Sequence, residues 1–365
     1  MIRFRQMDLV AAAGLALLAV CAVGFSCSRL SAATLEDLYS VTVTRSAELA
    51  PDQAPRTQED EIRFAMGQLL LKVTGRVDAA LEPALAELLQ NAGEYVAQIG
   101  SLDRETLLVT FDAHAIDAAL VARDQPIWGP ERPLTLLWLA IDTGQGERGI
   151  LAAGEPFSDI SAEFLQLQTT FREELITVAD ERGLPLALPL MDLQDIGALS
   201  FIDIWGGFNA QVQQASMRYG ADAVLSGRAR VTGLGVNVQW TLLRHGEQLR
   251  LGGSSMRDGL DRLADFYAAE FSTLGDVRAT LITVLGVDTL DDYGRLMRYL
   301  ESLSLLASVG TDVDFEDGAL SVRVDTRADM AVLERVLGLS TMLTPSSGRY
   351  GQVAADNQLI FTLTR

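Results

Sequence analysis

Between Trp128 and Asp142 the chain reads Trp-Gly-Pro-Glu-Arg-Pro and then Leu-Thr-Leu-Leu-Trp-Leu-Ala-Ile-Asp. Pro130 and Pro133 lack an amide donor and push the residue before each of them into extended conformations, so no helix passes through this joint. Leu134 to Ile141 holds no charged residue, the pattern of a strand covered on both faces within an α/β layer. The joint therefore reads as a domain boundary, and the run behind it as the central strand of a middle domain. A chain of 365 residues exceeds what one ordinary core organises, and at roughly 100 to 200 residues per domain it divides further. The expected division is 34–128, 129–275 and 276–365 behind a leader at 1–33.

That leader has a basic start (Arg3, Arg5), an apolar segment from Leu9 to Cys27 and small residues ending Ser31-Ala32-Ala33, the three-part layout of an export signal. Cleavage after Ala33 is the favoured reading. Residues 9–27 are long enough to span a bilayer, so an uncleaved inner-membrane anchor is the alternative, with lipidation of Cys27 a third. Cys21 and Cys27 are the chain's two cysteines. An exported body without them makes no disulfide, thiol nucleophile or thiolate metal site.

With 48% hydrophobic residues the chain is expected to build packed cores, and its formal charge of -20 repels nucleic acid and anionic membrane surfaces, since phosphate binding draws on clustered Lys and Arg. Lys72 is its single lysine. No cofactor is implied, and no nucleic-acid partner.

In the first domain Leu35 to Ser46 alternates as a half-buried strand ended by Pro51 and Pro55, and a helix follows from Thr57 with Ile62, Ala65, Met66, Leu69 and Val73 on one side and Gly75 as its stop. Leu81, Leu85, Leu88, Leu89, Ala92, Tyr95 and Val96 predict a second helix. Thr106 to Phe111 is a strand, and Asp112 caps a helix carrying Ile116, Ala119 and Leu120. His114, in that helix's first turn, has no visible ligand neighbour and reads as a surface group.

In the middle domain Gly144-Gln-Gly146-Glu-Arg-Gly149 follows a strand with dinucleotide-fingerprint spacing. The context fails: no helix opens at Gly149, and Glu147 would face the phosphates, so the stretch is expected to be a loop. A long helix carries Phe164, Leu167, Phe171, Leu175 and Val178 to Gly183. Leu184 to Leu190 is strand-like, and Val212, Ala215 and Tyr219 form a helix capped by Gly220. Ala223 to Val231 is the next strand. Val236, Val238, Trp240 and Leu242 then turn at His245-Gly246, setting Trp240 opposite Leu251 and Arg244 opposite Glu247 as a surface pair. A helix of Leu260, Leu263, Ala264, Tyr267 and Phe271 covers the sheet.

In the last domain Thr280 to Val287 is a strand, and Leu290, Tyr293, Leu296, Met297 and Leu300 lie on a helix whose start gathers Asp288, Asp291 and Asp292, read as capping acids. Asp312 to Gly318 suggests a calcium loop, yet Asp317 and Arg323 stand where glycine and the final ligand belong. A hairpin turning at Asp317-Gly318 fits instead, with Phe315 against Leu320, Val313 against Val322 and Asp312 against Arg323. A helix of Met330, Leu333, Val336 and Leu337 and a strand at Leu359 to Leu363 complete the split βαβ order of ferredoxin-like domains.

The fold class is therefore α/β and α+β multidomain: a small N-terminal αβ domain, a middle α/β domain with a mixed sheet, and a C-terminal ferredoxin-like βαββαβ domain. Two histidines, His114 and His245, support neither a Ser-His-Asp triad nor a histidine-rich zinc site. No catalytic, cofactor-binding or metal-binding residue is assigned. Ala65 to Arg76 with its Leu-Leu-Leu-Lys-Val-Thr-Gly-Arg ending, Trp128 to Ala140, Tyr219 to Arg230 and Val287 to Tyr299 resemble a family of exported bacterial proteins catalogued as domain of unknown function 2066 (DUF2066). That resemblance implies export and brings neither a reaction nor functional residues. More loosely, the middle domain's element order is similar to the α/β domains of Tol-type and curli-secretion-type envelope proteins, a likeness of fold alone. The resulting expectation is a non-enzymatic periplasmic binding or assembly module with an envelope protein partner. A carboxylate-dependent hydrolase of envelope polysaccharide or peptide, and a small-ligand sensor, are the alternatives.

Overall fold

A computed structural model of the protein describes residues 37–44, 57–103, 105–154, 160–316, 319–346 and 358–364. The leader, with Cys21 and Cys27, and the Asp317-Gly318 turn lie outside the described residues. Among the described residues the chain forms a mixed α/β structure of three sheets and ten helices.

The first sheet holds β1 (Ser40–Thr44), β2 (Val96–Ser101) and β3 (Thr106–Phe111), antiparallel in the order β1-β3-β2. Helix α1 (Gln58–Thr74) starts on a capping box between Thr57 and Asp60 with three acids in its first turn and stops at Gly75, φ 69°. The box satisfies first-turn amides, the acids suit the positive end of the dipole, and left-handed Gly75 lets the chain leave the helix. Its Ala65, Met66, Leu69, Leu70 and Val73 pack with Val41, Val43, Val109 and Phe111, each fully buried large side chain contributing about 1.5–3 kcal/mol. The continuous helix expected from Leu81 to Val96 is not formed. Pro83 sits at the head of a 3-10 turn, Gly93 lies in another, and what remains between them is the short α2 (Ala86–Gln90). Val96 belongs to β2. Helix α3 (Ala113–Val121) begins at Asp112, whose side chain accepts from the Ala115 amide.

The second sheet contains β4 (Thr135–Asp142), β5 (Arg148–Ile150), β6 (Leu186–Ala187), β7 (Ala223–Thr232), β8 (Gly235–Arg244) and β9 (Glu247–Leu251). Its order is β5-β4-β7-β8-β9, with β6 beside the first residues of β4. All eight residues of β4 are buried, and β4 runs parallel to β7. On one face Leu137, Leu139, Ile141, Leu225, Ala229, Val238, Trp240 and Leu242 meet α4 (Ala162–Arg182) and α8 (Met256–Phe271). On the other, Leu136, Trp138, Ala140, Val224 and Leu243 meet the short helices α6 (Phe201–Gly206) and α7 (Asn209–Ser216), with α5 (Leu193–Ala198) packed beside α7. Helices α5 and α6 were not expected, and the strand expected over 184–190 shrinks to β6, bracketed by Pro185 and Pro189. The β8–β9 register pairs Trp240 with Leu251 and Arg244 with Glu247. The side chain of Arg244 departs from expectation: it turns inward over the Phe271 ring, 5.3 Å away, and pairs with Glu270 of α8.

The third sheet comprises β10 (Arg278–Leu285), β11 (Leu306–Glu316), β12 (Ala319–Thr326), β13 (Leu343–Pro345) and β14 (Gln358–Leu363), ordered β11-β12-β10-β14-β13. Helices α9 (Leu290–Ser302) and α10 (Met330–Gly338) join them. β12 lies between β10 and β11, while β14 runs parallel to β10 and carries the unexpected β13 at the edge. Val313 pairs with Val322 and Phe315 with Leu320 as expected, but the ladder is interrupted between Val309 and Val313, where Asp312 lies, and the Asp312 to Arg323 pairing is not part of it. The core of this sheet is continuous with the α4/α8 layer.

At the Trp128 joint the first two sheets are tied together. The Trp128 amide donates to the Val73 carbonyl at 2.7 Å. Arg132, fully buried, lies 3.7 Å over the Trp128 ring and donates to the carbonyls of Gly129, Arg182, Gly183, Lys72 and Trp128 at 2.7–3.1 Å. A guanidinium has five N–H groups in a planar fork, and here each has an acceptor. Gly183 closes α4 at φ 60°, and a β-carbon on it would overlap that guanidinium.

Candidate functional site

β7 alternates strictly: Leu225 and Ala229 face α4 and α8, so Arg228, Arg230 and Thr232 point to the opposite face. Across from them on β8 stand Gln239 and Asn237, in register with Arg228 and Arg230. On β4, Asp142 is in register with Arg230, and on β5 Arg148 is in register with Asp142. Two parallel rows thus form at the carboxyl ends of β4 and β7, the edge where open α/β sheets commonly take their ligands.

Helices α5 to α7 cover the apolar start of this face and leave its polar end open. The wall they contribute there is α6, fixed by a capping box between Ser200 and Asp203 and stopped at Gly207, φ 73°. Phe201 and Trp205, one turn apart, stack at 5.2 Å and 20°. Arg148 lies 5.8 Å over the first ring and Arg230 5.2 Å over the second. A groove of about 350 Å³ results, lined by Trp205, Arg228, Arg230, Thr232, Asn237 and Gln239. No carboxylate lines it. The buried Asp142 lies 3.2 Å from Arg148 and 3.9 Å from Arg230, while Arg228 donates to the Trp205 carbonyl at 3.2 Å and to Gln239 Oε1 at 2.9 Å.

The motifs singled out in the sequence fall elsewhere. The glycine-rich stretch is the β4–β5 hairpin, and Glu147 fastens it to α4 by accepting from the Ser161 hydroxyl and amide at 2.9 and 3.2 Å. Gly149 leaves room for Phe164, which explains a glycine there without any phosphate. His114 is exposed, and His245 is an exposed turn residue at φ 51° followed by Gly246 at φ 79°. Asp292 completes the capping box of α9 with Thr289, and bonds from Thr289 and Arg295 hold its carboxyl down at about 2. Asp291 lies 3.5 Å from Arg295.

Acid pairs were the requirement of a carboxylate-dependent hydrolase. Asp192 and Asp195 converge on Arg218, and buried Asp195 also accepts from the Met191 amide and the Tyr219 hydroxyl at 2.9 and 2.5 Å. Every oxygen of Asp195 is engaged in holding α5 against the chain before Gly220. Asp117 and Glu131 line one cavity, with Tyr39 donating to Asp117 at 2.6 Å and burial pushing the Asp117 carboxyl up. That cavity measures about 60 Å³, room for a water or two, whereas a sugar or peptide needs several hundred. Among the described residues no group of three or more His, Cys, Asp or Glu is placed to hold a metal ion, and no helix is long and apolar enough to cross a membrane.

Sequence reasoning missed the groove. Its signal was present in Arg228-x-Arg230-x-Thr232 and Asn237-x-Gln239, polar alternation opposite an apolar face. What the alternation could not announce was α6, which brings the aromatic wall.

A family model for a domain of unknown function, DUF8605, matches residues 32–129. The matched family is a different one from DUF2066, and that resemblance is withdrawn. Of the four stretches that carried it, Ala65 to Arg76 alone falls wholly inside the matched residues. Structurally they are a helix end, two buried strands with their approaches and a helix start, apolar patterns that many α/β chains share. No curated protein and no solved structure matches the chain.

Proposed function

We propose that the protein is a non-catalytic binding or assembly module of the bacterial cell envelope, exported by its leader, which takes a partner on the α5–α7 side of the second sheet. The division into units 34–128, 129–275 and 276–365, the last of them ferredoxin-like, belongs to the same proposal. The observation that carries it is the surface of residues 183–217. This stretch contains no Lys or Arg, and its acids Asp192, Asp195 and Asp203 are engaged in helix caps and ion pairs. Leu193, Ile196, Ile202, Phe208 and Met217 are 89%, 52%, 69%, 50% and 72% exposed. Large apolar side chains this exposed on a surface poor in charge, beside arginines and a tryptophan, are the composition of a protein interface.

Photo-crosslinking residues placed at Ile202 and Phe208 in cells should capture an envelope protein identifiable by mass spectrometry, with Leu81 and Leu290, exposed on the other units, as controls. Equal capture from the controls, or turnover of a cell-wall substrate by the purified protein, would sink the proposal. Mass spectrometry of the mature N-terminus separates cleavage after Ala33 from retention of residues 9–27 and from lipidation of Cys27.

A further inference from the structure

Charge decides what the groove beside α6 can hold. Arg148 and Arg230 share the single carboxylate of Asp142, which leaves one positive charge over. Arg228 is bound to two neutral oxygens, of Trp205 and Gln239, which leaves a second. Glu147 turns to Ser161 at the start of α4 and Asp203 to Ser200 in the capping box of α6, and neither lines the groove. Three guanidiniums thus meet one carboxylate at this end of the sheet, a local excess of two in a chain whose total is -20. The Trp205 indole is in contact with both Phe201 and Arg230, so it braces a guanidinium rather than offering a platform to a sugar or base. The contact holds the Arg230 guanidinium beside the ring, and its N–H groups not turned to Asp142 are left for an oxyanion.

We propose that this groove binds a phosphate monoester, its oxygens taken by Arg228 and Arg230 and its neighbouring polar groups by Asn237, Gln239 and Thr232. A phosphate monoester carries about -1.5 to -2 at neutral pH and balances the site, whereas a carboxylate leaves one charge unmatched. The size of the groove suits a small phosphorylated molecule or a single headgroup. The inference deepens the docking proposal by naming what its polar rim recognises.

The test is calorimetric titration of the full mature chain with glycerol phosphate and inorganic phosphate, with acetate as the carboxylate control. Saturable one-to-one binding that weakens with added salt is expected. Arg228→Gln and Arg230→Gln should each weaken it at least about ten-fold, the effect of losing a charge-assisted bond, with the melting temperature moved by no more than about 4 °C. Vesicles of phosphatidylcholine with and without phosphatidic acid tell the sources apart: co-sedimentation only with the acidic lipid assigns a headgroup, and binding of glycerol phosphate alone assigns a soluble ligand. Absence of saturable binding, binding that survives both substitutions, or acetate binding as tightly as glycerol phosphate overturns the inference. Failure of the phosphate probes with continued crosslinking from Ile202 leaves the docking reading standing, and the reverse result leaves the phosphate site standing.

Discussion

Two groups of three cations occupy this acidic protein, and they are built on opposite terms. Lys72, Arg132 and Arg182 meet inside the joint between the first two sheets, 6%, 0% and 1% exposed. Arg132 gives five N–H groups to five carbonyls, while Arg182 gives its own to the Gly75 carbonyl, Asp261 and Asp265 at 2.7–2.9 Å. Arg148, Arg228 and Arg230 lie on the open end of the second sheet, with the side chains of Arg148 and Arg230 61% and 58% exposed and one carboxylate between them. A buried cation is costly unless its donors are matched; Arg132 matches all five and Arg182 all but its Nε–H, so the first group is committed to architecture. The second keeps its charge in water at little cost to the fold, which is the condition for meeting something else.

The contrast is broken most forcefully at Arg132. Arg132→Met should destabilise by about 3–5 kcal/mol, because it removes the buried donors held by the carbonyls of Lys72, Trp128, Arg182 and Gly183. Lysine should not rescue it: three donors on a flexible stem cannot serve five acceptors arranged around a plane. Urea denaturation followed by tryptophan fluorescence measures both, and a loss under 1 kcal/mol for the methionine variant would mean that the joint is not what binds the two sheets.

Burial separates acids in the same way. Asp222 precedes β7 and accepts from the Leu134 amide at 2.7 Å, and burial pushes its carboxyl up to about 6 despite Arg244 nearby. Its folded form therefore holds a proton that the unfolded chain releases near 4, so stability attributable to Asp222 is greatest below pH 4 and declines as pH rises through 6. The loss is at most about 3 kcal/mol. Asp222→Asn keeps the acceptor for Leu134 and should flatten this part of the curve, read as the difference in unfolding free energy between the two proteins at pH 4 and pH 7. Asp292 has the opposite sign: held low at about 2 by its bonds from Thr289 and Arg295, it contributes stability that disappears only as pH falls toward that value.

Much of this frame was readable in the chain. An unbroken apolar run gave β4 because burial on both faces requires it, and alternation with a turn at His245-Gly246 fixed the β8–β9 register. The cap at Asp112, apolar spacing from Thr57 and the acids Asp288, Asp291 and Asp292 marked three helix starts. The failures have local causes. Seven apolar residues at helical spacing from Leu81 to Val96 did not make one helix because Pro83 and Gly93 interrupt it. Arg244 was assigned to the surface because register says which residue is opposite and not that α8 would cover it with Glu270. The groove escaped notice for the same reason: its arginines come from two strands, β5 and β7, its amides from β8 and its aromatic wall from a helix, and only the sheet order brings them together.

The smallest expected effect is the most diagnostic of the second cluster. Arg228→Gln and Arg230→Gln should each change unfolding free energy by no more than about 0.5 kcal/mol, since exposed pairs and surface substitutions rarely contribute more. Arg230 carries one complication, its contact with Trp205, which a glutamine would weaken by about 0.5–1 kcal/mol if the stack were preserved only by charge. Trp205→Phe resolves this, because a smaller ring retains the stack with Phe201 and reduces the cation–π attraction. If Arg230→Gln costs as much in the Trp205→Phe background as in the wild type, the stack is not what orients the guanidinium. If the cost of either arginine substitution approaches that of Arg132→Met, the two clusters are alike, and the open groove is architecture after all.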